Sequence, residues 1–164
     1  MSQFADAPKL HSIYSSQDGG HIAHRFPFLL ELEINSGKGL PVMDIATSDP
    51  YAKVSVNELT VGRTKTCYRS INPDWGGHLL EIPLLHTKNN AVYIQLWDEN
   101  TVKADELMGK VKIDIETLPL NHRVEDWDFE VLDNDKAFRG TINVSYKLSM
   151  ETSIIELVPD IEER

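Results

Sequence analysis

Apolar and charged side chains alternate from Leu30 onward in Phe28-Leu-Leu-Glu-Leu-Glu-Ile34, and the same period of two returns in Tyr51-Ala-Lys-Val-Ser-Val56. That period puts successive side chains on opposite faces, the signature of a strand with one face on a core. Further β-rich runs follow at Gly62–Tyr68, His78–Leu84, Ala91–Trp97, Met108–Ile115, Trp127–Leu132 and Gly140–Leu148, eight in all. Between them lie Asn35 to Gly39, Asn72 to Gly77, Lys88 to Asn90 and Asp133 to Asp135, rich in the residues that form tight turns. No stretch of ten or more residues between 26 and 148 has helical spacing. The pattern predicts an all-β fold, an eight-stranded antiparallel β-sandwich.

At 164 residues, with 41% hydrophobic and 26% charged, the chain has the composition of one globular domain. The expected division is a disordered N-terminal tail over 1–25, a domain over 26–149 and an acidic C-terminal tail over 150–164. The C-terminal segment reads equally as a short docked helix. The most apolar runs, such as Phe26–Leu32, extend about seven residues, against roughly 20 needed to span a bilayer as a helix. The first 25 residues have neither the basic start nor the apolar stretch of a signal peptide, and Cys67 is the lone cysteine. Both features predict a cytoplasmic location. Sixteen basic against 26 acidic side chains give a net charge of −10. Such a chain is repelled by phosphate backbones, which disfavours nucleic acid, and meets an anionic membrane only if something reverses the sign locally.

Two acidic clusters stand where strands run into loops. Asp44 and Asp49 bracket Ile45 to Ser48, and Asp98, Asn100, Asp105 and Glu106 follow the strand ending at Trp97. In a sandwich, loops an even number of strands apart emerge at the same end, so the clusters face one another. Five carboxylates held close together repel unless a cation neutralises them. Calcium, with about six to eight oxygen ligands in a flexible geometry, suits this set. Neither cluster holds Cys or His, which disfavours zinc and copper, and no EF-hand loop fits either segment. Magnesium would suit fewer ligands and a bound phosphate. The alternative is that these acids only solvate turns.

The sequence also resembles a known family. Leu30-Glu-Leu-Glu-Ile34 and Ser36-Gly-Lys-Gly-Leu40, then Asp44 and Ser48-Asp-Pro-Tyr-Ala-Lys53, look like the opening of a C2 domain. Arg63-Thr-Lys-Thr66, Asn72-Pro-Asp-Trp75, Trp97-Asp-Glu-Asn100 and Asp105-Glu-Leu-Met-Gly109 continue the match in order, over about 120 residues. The resemblance implies calcium bound by Asp44, Asp49, Asp98 and an acid near position 106, with the backbone carbonyls of Met43 and Glu99. Asn100 stands where the family usually has Asp, and Glu106 where a second Asp is usual, with Asp105 adjacent. The neutral amide removes one charge and implies weaker affinity or fewer ions. With no strand evident before Phe26 and a final strand after the acidic loops, the order resembles the family's type II.

A second patch is cationic. Lys53 lies two residues beyond Tyr51, and Arg63 and Lys65 alternate on the next predicted strand, which would gather all three on one face. The positions resemble the lysine-rich cluster of phosphoinositide-binding C2 domains; the alternative is a solvated strand face. Trp75 and Trp127 are expected to cover core edges, Trp97 to stand beside the acidic loop, and Cys67 to be a packed thiol. The acceptor sequence Asn143-Val-Ser145 falls inside a predicted strand and reads as chance.

The function these features predict is calcium-dependent binding of anionic phospholipid, phosphatidylserine and also phosphoinositide, by a peripheral targeting or signalling module. Calcium would bridge the acidic loops to lipid phosphate, with Ile45 and Val102 dipping into the headgroup region. The competing expectation is a calcium-independent adaptor for a protein partner. The scattered histidines and the lack of a nucleophile motif or phosphate-cradling loop argue against an enzyme.

Overall fold

A computed structural model describes residues 26–150; the expected tails at 1–25 and 150–164 lie outside the described residues, save Met150, the last residue of the final strand. The eight strands are β1 (Phe28–Lys38), β2 (Pro50–Val56), β3 (Leu59–Arg63), β4 (Asp74–Leu84), β5 (Ala91–Asp98), β6 (Glu106–Asp114), β7 (Arg123–Leu132) and β8 (Phe138–Met150), with one 3₁₀ turn at Ile115–Thr117. All named pairs are antiparallel, in the order β3-β2-β5-β6-β7-β8-β1-β4.

This order folds over into two four-stranded layers. Between β6 and β7 the ladder has a single pair, Lys110 with Leu132. Gly109 sits at that seam, where an added Cβ would lie 2.5 Å from Val131 Cγ1. The layers also approach at the far edge, where a Cβ on Gly62 would lie 2.6 Å from Leu80 Cδ2. At Gly109 the backbone of Leu132 also stands close, its O 3.1 Å from the added Cβ, so a side chain there would wedge the layers apart, whereas at Gly62 the end of the Leu80 side chain would have to move aside.

The core between the layers is built by the predicted alternation. Leu30, Leu32 and Ile34 of β1 and Val92, Ile94 and Leu96 of β5 are buried, joined by Ile142, Val144 and Leu148 of β8. Each such side chain stabilises by about 1.5 to 3 kcal/mol through burial. β2 departs from the half-buried expectation: only Lys53 is not buried, because Tyr51 on the outer face is covered by the guanidinium of Arg63. Trp75 is itself part of the core rather than its edge, while Trp127 is exposed.

The predicted strand at Gly62–Tyr68 is corrected to Leu59–Arg63. The ladder lapses at Thr64, whose N–H still donates to Ala52 O at 2.9 Å but whose side-chain Oγ1, not a backbone carbonyl, accepts from Ala52 N–H at 2.9 Å. The hydroxyl thus takes the place of a strand partner. Lys65 therefore lies beyond β3 and does not continue the alternation of Arg63. β8 lies beside β1 with Phe28 opposite Met150, and the first acidic loop follows β1 directly, which is the type II arrangement among the described residues.

Candidate functional site

Strand register builds the acidic site. Pro50 pairs with Asp98, so Asp49 and Asp98 meet at the ends of neighbouring strands. Asp49 N–H donates to Asp98 Oδ1 at 2.6 Å, and Glu99 N–H donates to Asp49 O at 3.0 Å. A register shift in β5 and β6 between Leu96 and Trp97 brings Glu106, and not Leu107, directly opposite Asp98. The first loop is pinned by Ser48, fully buried, whose hydroxyl donates to Pro41 O at 2.8 Å and accepts Met43 N–H at 2.8 Å. Asp44 N–H then donates to Thr47 O at 3.1 Å. From the third loop at this end, Arg69 N–H donates to Asp49 Oδ1 at 2.7 Å.

Asp98 has 0% exposure, and its Oδ2 is buried with no hydrogen-bond partner. Burial raises its carboxyl above the ordinary value; the Asp49 N–H acts against that, and the charges of Asp44, Asp49 and Glu106 add to it. The oxygens that influence Asp98 are thus those of three of the other predicted ligands.

The remaining members are engaged elsewhere. Asp105 accepts Asn100 N–H at 3.0 Å and the Tyr51 hydroxyl at 2.7 Å, and these bonds hold its carboxyl below the usual carboxylate range. Tyr51 is pushed up to about 12 by burial and by that bond to Asp105. The Asn100 amide donates to Asp98 O and Ala104 O, both at 3.3 Å, and so shapes its own loop. The Glu99 carboxylate accepts the Tyr68 hydroxyl at 3.0 Å and meets Arg63 at 3.5 Å. Glu106 accepts Lys103 Nζ at 2.7 Å. Among the described residues, no group of three or more His, Cys, Asp or Glu side chains stands arranged to hold a metal ion. Asp44, Asp49, Asp98 and Glu106 therefore face one another electrostatically without yet closing on one centre. Their chemistry fits a hard cation, with oxygen donors only and one orphaned buried carboxylate oxygen.

Around the site, Ile45 and Val102 are fully exposed at the tips of their loops. Sequence reasoning missed Lys103 and Tyr68, which line the recess with Asp44, Asp49 and Val102. Lys103 had a readable signal, as the basic residue between Asp98 and Glu106; Tyr68 had none.

On the outer face of the adjoining layer, Lys53 Nζ lies 5.3 Å from the centre of the Trp97 ring, and the Arg63 guanidinium 3.6 Å from that of Tyr51. Register lines up Arg63, Lys53, Gln95 and Lys110 as one row across β3, β2, β5 and β6. A groove of about 600 Å³ takes in Lys53, Gln95 and Lys110 of that row and runs on past Ser55 and Tyr93 to Glu58 and Thr60 by the β2–β3 turn. Lys65 is outside the row, and Lys110 is the cation that sequence reasoning did not find.

The family model described as the C2 domain matches residues 28–128. RasGAP-activating-like protein 1 of Mus musculus is 32% identical over 123 residues, 73% of this chain and 15% of its own length. C2 domain-containing protein 5 of Homo sapiens is 30% identical over 131 residues, 76% of this chain and 13% of its own length. The chain thus spans about a seventh of the length of these relatives. Among solved structures, a C2 domain of plant Extended Synaptotagmin 1 superposes with a TM-score of 0.70 at 17% identity, covering 79% of this chain and 99% of that one. A calcium-bound pair of C2 domains from Extended-Synaptotagmin 2 gives a TM-score of 0.61 at 19% identity, over 76% of this chain and 43% of that one. These likenesses are of fold, and they agree with the family match and the sandwich order. The chain belongs to the C2 domain family.

Proposed function

We propose that this domain binds anionic phospholipid surfaces, with calcium held between the loops that carry Asp44, Asp49, Asp98 and Glu106. The observation that carries this reading is Asp98, a carboxylate buried at the loop end with Oδ2 unpartnered and like charges around it. Such a group lacks a counter-charge that a divalent cation supplies. Calcium would draw in Asp44, Asp49, Asp98 and Glu106, with the carbonyls of Met43 and Glu99, and its remaining positive field would turn a repelling edge into one that accepts lipid phosphate. Ile45 and Val102 at the loop tips add a small apolar contact. The row of Arg63, Lys53 and Lys110 supports a second contact with a phosphoinositide headgroup, since Lys and Arg donate to phosphate. The domain acts as a binding module, not a catalyst, on this reading.

Three observations favour a second reading. With Asn100 neutral, Glu106 paired to Lys103 and no three acids yet arranged around a centre among the described residues, a calcium-independent protein adaptor is the alternative.

Sedimentation with liposomes separates the two. Vesicles containing phosphatidylserine should pull the protein down in calcium and release it in chelator, and neutral phosphatidylcholine vesicles should do neither. Equal sedimentation in calcium and chelator would sink the calcium reading.

A further inference from the structure

The recess between the acidic loops already contains a cation of its own. Lys103 sits in the loop joining β5 and β6, its Nζ donates to Glu106 Oε2 at 2.7 Å, and it lines the recess beside Asp44, Asp49 and Asn100. Its charge is felt together with those of Asp44 and Asp98 as well as Glu106. No other Lys or Arg lines that recess among the described residues.

We propose that Lys103 is a tethered counter-cation of the acidic loops, which neutralises them when no metal is bound and competes with calcium for Glu106. The inference rests on the calcium reading of the same site. It does not rest on the acidic cluster alone: the fully buried Asp98, with Oδ2 unpartnered, independently marks where a cation is wanted. Glu106 faces Asp98 across the β5–β6 pair, so it is the ligand that must release Lys103 to complete the set. While it holds Lys103 it is already engaged, in keeping with the open arrangement of the acids.

Calcium binding must then break the Lys103–Glu106 pair, so the loop trades one cation for another. The incoming ion also meets a cluster whose four carboxylates, Asp44, Asp49, Asp98 and Glu106, are already offset by one positive charge. The affinity is lowered by a residue of the site's own loop.

The test uses Lys103→Met and Lys103→Arg in the full chain, with Lys112→Met as a control. Lys112 pairs with Asp114 at 3.0 Å, near the end of β6 away from the acidic loops. Calorimetry with calcium and no lipid should show Lys103→Met binding about three- to tenfold more tightly than wild type, the scale of one unit charge near a divalent ion at a solvent-exposed site. Lys103→Arg and Lys112→Met should stay near wild type. In chelator, Lys103→Met should melt a few degrees lower, because the carboxylates lose their tethered counter-charge, and the deficit should shrink in high salt. An equal tightening by Lys112→Met reduces the effect to net charge and overturns the proposal. So does an apo melting midpoint of Lys103→Met at or above wild type, even where wild type binds calcium as proposed. If neither wild type nor Lys103→Met gives heat with calcium, the calcium reading itself falls, and competition for Glu106 falls with it.

Discussion

Asp98 weighs against the fold whenever it is ionised without a cation. Burial, with Asp44, Asp49 and Glu106 adding, raises its carboxyl in the folded protein, so the folded state holds that proton more tightly than the unfolded chain. Protonation therefore stabilises the fold as pH falls through the folded value, and that stabilisation is lost as pH rises to neutrality. Asp98→Asn should raise the melting midpoint in chelator at pH 7, since an amide oxygen can still accept the Asp49 N–H. The gain over wild type should narrow as pH falls into the acidic range where Asp98 takes up its proton. Calcium should shift the melting of wild type but not of the variant. A lower midpoint for Asp98→Asn at pH 7 would assign Asp98 a structural role instead. The acids at 44, 49 and 98 were legible from sequence because they flank strand ends. The cross-strand partner of Asp98 was not, because a one-residue slip in strand pairing decides it: only the bulge after Leu96 places Glu106, and not Leu107, opposite Asp98.

The strands follow the period of two so closely that all eight were legible, with boundaries moved by a few residues. β3 was the exception in extent. Thr64, Lys65 and Thr66 keep the composition of a strand, and nothing in their order reveals that a hydroxyl takes over the Ala52 N–H. The consequence is functional, because it removes Lys65 from the cationic row and leaves Lys53 and Lys110 flanking Gln95. With phosphatidylserine vesicles in calcium, Lys53→Ala/Lys110→Ala should bind as wild type, while the added gain from phosphoinositide should largely disappear. At roughly 1 kcal/mol per basic residue near an anionic surface, that is on the order of a tenfold loss or more. Lys65→Ala should lose much less. Comparable losses from Lys65→Ala would move the contact off the sheet. Arg63 is a poorer probe than either lysine, because it also covers the Tyr51 ring and holds Glu99.

At the scale of the molecule, the fold separates its ends. The three loops that meet at Asp49 and Asp98 lie at one end of the sandwich. Phe28 and Met150 are paired in register at the other. On the proposed reading, a net charge of −10 is offset where it matters by a cation at the loops and by the basic row on one sheet face, not by the chain as a whole. The twin position of Phe28 and Met150 also sets how the domain answers to mechanical load. Tension applied through them opens the β1–β8 ladder one rung at a time, whereas tension between Lys38 and Met150, at opposite ends of the same two strands, loads every rung at once. In single-molecule pulling on a Cys67→Ser background, handles at residues 27 and 150 should rupture the fold at lower force than handles at 38 and 150. Equal forces would mean that β4 and β7, not this ladder, bear the load. A domain held from that end and gripped by a membrane at the other is loaded along its strands, the direction in which every rung of this ladder shares the strain.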